Sequence, residues 1–310
     1  MCYSAQIRAD YRKYVRIFGA DMSLREFARL YWGIAEGSMQ GETPKAMDVV
    51  FADPLSEGHD TIAPYIKKIK ATQEQALQQE LFEQRKRFAD AERALQEKTT
   101  KTATESWRIA DKKIRAALRR LEDLNRTELT DSGARIYPGW YAPVMIVQDG
   151  KRTLVPMRFR CRLPGWTAEI EKKKDGTYCA RRDSLKTAWR HLFGVRHGVI
   201  LADCFYEHVK RDGKNVILRF DPTPGEPLML ACLWNLTSTP GEPDLYSFAV
   251  ITDEPPPEVA AAGHDRCIIP IKSENVDTWL NPDPADLATQ FAILDDRIRP
   301  YYEHEIKKVA

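Results

Sequence analysis

The sequence has no run of 18 or more apolar residues, so nothing in it reads as a membrane-spanning helix. No signal-peptide pattern is present: the N-terminus runs straight into Arg8, Asp10, Arg12 and Lys13. A soluble, cytoplasmic protein is expected. The six cysteines (Cys2, Cys161, Cys179, Cys204, Cys232, Cys267) are scattered and include no C-x-x-C, which argues against a disulfide framework. No Cys or His pair has zinc spacing except the lone His264 and Cys267, so no metal or other cofactor is expected. The net charge of +2 gives no global electrostatic case for a nucleic-acid partner. Glycine and proline are missing altogether from residues 66–126.

What fills that stretch is Ala, Gln, Glu, Lys, Leu and Arg, with 16 Lys/Arg against 10 Asp/Glu. The spacing of Ile66, Ile69, Leu77, Leu81, Phe88 and Leu95, and of Trp107, Ala110, Ile114, Leu118 and Leu121, predicts two helices. The β-branched run Thr99–Thr104 predicts an antiparallel turn near 99–105, after a first helix of about 45 Å. Such a hairpin is a solvated or self-associating arm, or a DNA-touching arm through Lys112, Lys113, Arg115, Arg119 and Arg120.

The rest of the chain is ample for a sizeable core, at 43% hydrophobic residues. Residues 1–20 read as a short strand and turn, and Ser23–Glu26 as a capping box opening a helix to about Trp32. Residues 40–65, with Pro44, Pro54 and Pro64, read as loop with short helical or extended pieces. Strands are predicted at 141–147, 153–159, 199–207, 216–220, 228–233 and 246–252. Asp149-Gly150 and Asp212-Gly213 are hairpin turns between them. Arg182–Phe193 reads as a helix, and Ser273 as the cap of another through Trp279. Strands with interspersed helices, not in strict alternation, predict an α+β fold.

Four stretches carry chemistry. Once Met1 is trimmed, Cys2 presents a thiol and a free α-amine, whose ordinary pKa values are about 8.5 and about 8. That pair condenses with an aldehyde to an imine and closes a thiazolidine. Residues 151–196 hold 13 Lys/Arg against 4 Asp/Glu, the footprint of a polyanion partner, and Trp166 offers a stacking face for a base. The apolar run 198–206 ends in Glu207, which sits either at a wet rim or desolvated and suited to proton transfer. His264, in Gly263-His264-Asp265-Arg266-Cys267, is a second proton carrier or a structural loop histidine.

In order, Met1-Cys2, Cys179-Ala180-Arg181-Arg182-Asp183, Ala202–Glu207, Ala231-Cys232-Leu233-Trp234 and His264-Asp265-Arg266 resemble the motifs of the SOS-response-associated peptidase (SRAP) family. Those motifs are Met-Cys, Asn-Ala-Arg-x-Glu, Phe-Tyr-Glu-Trp, Ala-Gly-Leu-Trp and His-x-Arg-Met-Pro. Arg160–Trp166 resembles the family's Trp-Gly-Leu-Ile-Pro-x-Trp. The resemblance covers residues 1–10 and about 135–282, and leaves out about 20–130. Cys179 stands where the family has Asn, His208 where it has Trp, and Cys267-Ile268 where it has Met-Pro.

The resemblance implies a barrel-like core of mixed, largely antiparallel β-sheets with a few helices and a long inserted helical hairpin. Residues 1–20 would be its first strand, 21–130 the insertion, 131–300 the catalytic core and 301–310 a tail. It implies an abasic-site processing protein that acts on single-stranded DNA, is nucleoid-associated when bound and removes its own Met1. Cys2, Glu207 and His264 would be catalytic. Arg181, Trp166, Arg160, Arg162, Arg182 and Cys179 would face the DNA. Two rival classes remain open: an N-terminal-nucleophile amidohydrolase using Cys2, and a non-catalytic single-stranded-DNA-binding protein.

Overall fold

The computed structural model describes residues 4–7, 18–174, 176–211 and 213–309. Cys2 therefore lies outside the described residues, as does Asp212 of the second hairpin turn. The chain divides into two compact units, one made of residues 1–59 and 130–310, the other of residues 60–129.

The first unit is built on one twelve-stranded sheet. Its strands are β1 Ser4–Ile7, β2 Asp21–Met22, β3 Arg135–Ile136, β4 Tyr141–Gln148, β5 Lys151–Phe159, β6 Cys179–Arg181, β7 His197–Arg211, β8 Lys214–Thr223, β9 Leu228–Thr237, β10 Leu245–Asp253, β11 Cys267–Ile268 and β12 Tyr301–Val309. Five of them close a ring through the pairings β7–β4, β4–β5, β5–β10, β10–β9 and β9–β7. All are antiparallel except β5–β10. A ring leaves its members no free edge, and both faces of its strands are apolar: β4 is buried from Tyr141 through Ile146 and β9 from Leu230 through Leu233. Val144, Leu154, Val155, Val199, Leu230, Leu233, Phe248 and Ile251 are all fully buried in this core.

β7 is the strand that leaves the ring. Residues 197–202 pair with β9 inside it, and residues 205–211 pair with β8 beyond it. On the other side, residues 202–206 take up β1. A strand of fifteen residues spans about 50 Å, long enough to serve both sheets. β12 then extends β8 outward, so the segment expected as a tail is a paired strand. Its mixed, charged sequence Glu303-His304-Glu305 gave no apolar alternation to read.

Eight α-helices occur among the described residues: α1 Leu24–Ala35, α2 Lys45–Ala52, α3 His59–Glu97, α4 Lys101–Asn125, α5 Ala168–Lys172, α6 Pro257–Ala261, α7 Val276–Leu280 and α8 Leu287–Asp295. None is long and apolar enough to cross a membrane. α1 forms where expected, but Ser23 makes no side-chain cap and Glu26 reaches forward to Arg29 instead of closing a capping box. Residues 182–193 do not form an α-helix. Their backbone bonds mix spacings, with Leu185 N to Arg182 O, Trp189 N to Ser184 O and Phe193 N to Trp189 O, so no regular ladder propagates.

The second unit is the helical hairpin, α3 from Asp60 onward followed by α4. α3 begins earlier than the sequence suggests and runs through Pro64, giving 39 residues or about 58 Å. Proline near a helix start removes only one bond to the preceding turn. The threonine run makes the corner: Thr100 caps α4 by accepting from the Ala103 N–H at 3.2 Å. Arg87 Nε donates to Ser106 Oγ at 2.9 Å, and the Phe88 and Trp107 rings lie 5.3 Å apart, which fixes the antiparallel register. Ala103, Ala110 and Ala117, seven residues apart, are buried along the seam, where small side chains let the helices approach closely.

Candidate active site

Glu207 stands on β7 just past the point where the strand leaves the ring. Period 2 puts it on the face of Phe205 and Val209, both buried. Phe205 stacks on Phe220 at 4.9 Å and meets Tyr302 edge-on at 5.1 Å, so this face is dry. Glu207 itself is 0% exposed, which decides between the wet rim and the desolvated position in favour of the second. Neither carboxylate oxygen has an aligned hydrogen-bond donor among the described residues. A buried carboxylate left so open is uncommon.

His264 is delivered to it by the end of α6. Gly263 has φ +100°, a conformation that suits a residue without Cβ. The Gly263 N–H donates to Ala260 O at 2.9 Å and the His264 N–H to Val259 O at 3.3 Å. These two bonds form a Schellman ending, with Ala262 as C-cap and His264 as the second residue beyond it. The turn packs over β7: a Cβ on Gly263 would lie 3.8 Å from Val209. His264 Nε2 then sits 3.1 Å from Glu207 Oε2, with both side chains buried.

Proton placement follows from the other ring nitrogen. Nδ1 lies 2.9 Å from Arg266 O, which can only accept, and 3.4 Å from the Arg266 N–H. The shorter contact decides it, and Nδ1 carries a proton. Nε2 is the nitrogen that faces Glu207 Oε2. Cys267, two residues past Asp265, is buried, and burial, followed by the nearby Glu207 charge, pushes its thiol well up. It stays protonated and is no competing nucleophile.

The register of β1 sets Ser4 and Ala5 beside this stretch of β7. Ser4 pairs with Tyr206, and Ala5 with Phe205. Arg135 on β3 fastens the strand: its Nε donates to Ser4 Oγ at 2.6 Å, and its guanidinium lies 3.6 Å over the Tyr206 ring. Gln6 accepts from Tyr206 OH at 3.2 Å. Sequence reading missed Arg135 because its partners are 131 residues earlier and 71 residues later in the chain.

The residues expected to face DNA fall into two groups. β6 carries Cys179, buried, and Arg181, exposed, and pairs Arg181 with Thr252 of β10, which in turn pairs with Ile268 beside the His264 loop. Arg181 makes an ion pair with Asp183 at 2.9 Å at the surface. Trp166 is half-buried after a turn closed by its N–H to Leu163 O, with Pro164 and Gly165 (φ +79°) at the corner, as a type II turn requires. Arg160 and Arg162 instead converge with Arg158 on one buried carboxylate, Glu171. Arg162 Nε lies 3.0 Å from Glu171 Oε2, and Arg160 donates to the carbonyls of Glu171 and Lys174 at 2.8 Å. Arg182 bonds Asp295 at 2.6 Å and ties the β6 segment to α8.

A comparison with protein families matches the SOS response associated peptidase (SRAP) model to residues 78–309, about three quarters of the chain. The match starts inside the helical hairpin, further upstream than the sequence motifs indicated, and takes in β7 and the His264 loop but not β1. No curated protein matches the chain. Among solved structures, a protein from Bordetella bronchiseptica is similar at 22% identity and TM-score 0.47, over 59% of this chain and 90% of that one. A protein from Bacteroides thetaiotaomicron is similar at 13% identity and TM-score 0.45, over 56% and 78%. A phage-related protein from Bordetella bronchiseptica is similar at 18% identity and TM-score 0.44, over 59% and 85%. On the family match, the chain belongs to the SOS response associated peptidase (SRAP) family.

Proposed function

We propose that this protein forms a covalent thiazolidine link between its mature N-terminal Cys2 and the aldehyde of an abasic site in single-stranded DNA, after removal of Met1. Family membership associates the chain with DNA damage and with abasic sites in general. The observation that carries the finer reading is the buried Glu207–His264 pair at 3.1 Å, one residue along β7 from the partner of Ser4. Ser4, the first described residue, thus lies across from the residue next to Glu207 on β7. A carboxylate with no aligned donor among the described residues suits an incoming N–H.

The chemistry balances without a cofactor. The Cys2 amine adds to the aldehyde carbon, and the carbinolamine loses water to give the imine. The thiol sulfur adds to the imine carbon while the nitrogen takes up the proton, closing the five-membered ring. Glu207 orients the amine and accepts its proton, and His264 protonates the departing hydroxyl. Holding amine and thiol on one residue makes ring closure intramolecular, where gains in effective concentration are large. Arg181 would hold a flanking phosphate, with Trp166 stacking against a base. Arg160, Arg162 and Arg182 would act by holding the segments that carry them.

The test is a denaturing gel of purified protein with single-stranded DNA carrying one abasic site, alongside intact-mass measurement of Met1 loss. A shifted band absent from Cys2→Ala, and from a variant that retains Met1, is expected. No band from protein verified to begin at Cys2 would overturn the proposal.

A further inference from the structure

α4 carries a row of cations on the side away from the hairpin seam. Arg108, Lys112, Arg115 and Arg119 are spaced four, three and four residues apart, so they share one helix face within about 60° at 100° per residue. The buried Ala103, Ala110 and Ala117 lie on the opposite face. All four cations are exposed. The row spans about 16 Å of helix axis, long enough to follow several successive phosphates of a strand.

Intrahelical partners do not neutralise it. Arg108 pairs with Glu105 at 2.7 Å and Arg115 with Asp111, but both are exposed pairs, which contribute little and yield to a stronger anion. Among the described residues Arg119 donates to its own helix, at Arg115 O, 3.3 Å. Two copies of the face would set like charges against each other, so the same row disfavours a second copy of this chain as its occupant.

We propose that the outward face of α4 is a nucleic-acid contact separate from the Glu207–His264 site, binding the sugar-phosphate backbone without regard to sequence or damage. It shares with the proposed function only the class of partner, so undamaged DNA tests it independently of any crosslink.

The full-length protein is titrated with labelled, undamaged single-stranded DNA across a salt series. In one variant Arg108, Lys112, Arg115 and Arg119 are all changed to Gln, which keeps helix propensity and volume. In a second, Arg85, Lys86, Arg93 and Lys98, exposed on α3 and just beyond it, are changed to Gln for the same charge difference. Four lost phosphate contacts should lower the slope of log affinity against log salt by about 3, at about 0.7 per contact. The α4 variant is expected to show that drop and at least about tenfold weaker binding at low salt, while the α3 variant keeps the slope. Equal slopes in wild type and α4 variant overturn the proposal. So does an equal loss in both variants, which marks a long-range charge effect. A changed oligomeric state of the α4 variant at unchanged slope would also overturn it and mark a self-association face.

Discussion

At the scale of single residues, the site turns on one carboxylate held out of water. Glu207 is fully buried, and His264 Nε2 lies 3.1 Å from its Oε2. Glu207→Gln keeps the volume and removes both the charge and the proton-accepting role. Burying an amide there is no worse than burying an ion, so the fold should hold. Crosslinking to abasic DNA should slow by about 10²–10⁴-fold, the usual range for a lost acid–base group, in a single-turnover time course. A rate within twofold of wild type would remove Glu207 from the chemistry. The residue type and its strand were legible, since an apolar run ending in a carboxylate is visible in 198–207. Its burial was not, because that face of β7 is closed by distant residues: Phe220 and Tyr302 pack on the neighbouring Phe205, and His264 lies on Glu207 itself.

At the scale of elements, the end of α6 sets the aim of His264. The signal is present in Ala260-Ala261-Ala262-Gly263-His264, where an alanine-rich run followed by glycine reads as a helix C-terminal cap. Gly263→Ala forces a Cβ into the φ +100° conformation, which costs about 1–2 kcal/mol. That Cβ would meet Val209 at an ordinary van der Waals distance of 3.8 Å, so the strain is conformational, not steric. The loop should relax by turning His264 off Glu207. Crosslinking should fall several-fold while the melting temperature drops by only about 2–4 °C for a chain of this size. Full activity in a folded Gly263→Ala protein would separate the cap from the chemistry. The six predicted core strands of the second half, by contrast, form where expected, because alternation and apolar runs are local signals. The expected helix at 182–193 fails because ion pairs and ring contacts of Arg182 and Lys186 with Asp295 and Phe291 hold that segment against α8.

At the scale of the whole molecule, two buried groups outside the site give stability a pH dependence. His197, wedged between Trp279 and Phe193, has its pKa lowered to about 3 by burial. It stays neutral, with Nδ1 donating to Trp279 O at 3.1 Å and Nε2 accepting from the Gly194 N–H at 2.8 Å. A depressed pKa contributes stability above the unfolded value of about 6.5, lost as pH falls toward 3, about 2 kcal/mol of it by pH 5. Asp48 has the opposite sign: burial raises its pKa to about 6, although Tyr31 and Thr43 both donate to its Oδ1 at 2.7 and 2.8 Å. Its contribution is present below about pH 4 and is lost as pH rises through 6. Asp48→Asn keeps both bonds and removes the buried charge. Urea midpoints across pH 4 to 8 should rise for this variant at neutral pH, and its acid limb should steepen to the His197 dependence alone. A midpoint unchanged at neutral pH would show that Asp48 is ionised at no net cost.

The sequence by itself determined the local things: the strands of the second half and the Asp149-Gly150 turn, the helical hairpin, and the order of motifs that marks the family. Periodicity, turn chemistry and motif spacing act between near neighbours, so they survive in the linear chain. Only the tertiary structure decided that β7 outruns the closed ring to pair with β1, that Arg135 fastens Ser4 beside Tyr206, and that Glu207 and His264 meet in a dry pocket. Those contacts join residues scores of positions apart, and desolvation arises only when distant apolar surfaces close over the same atoms.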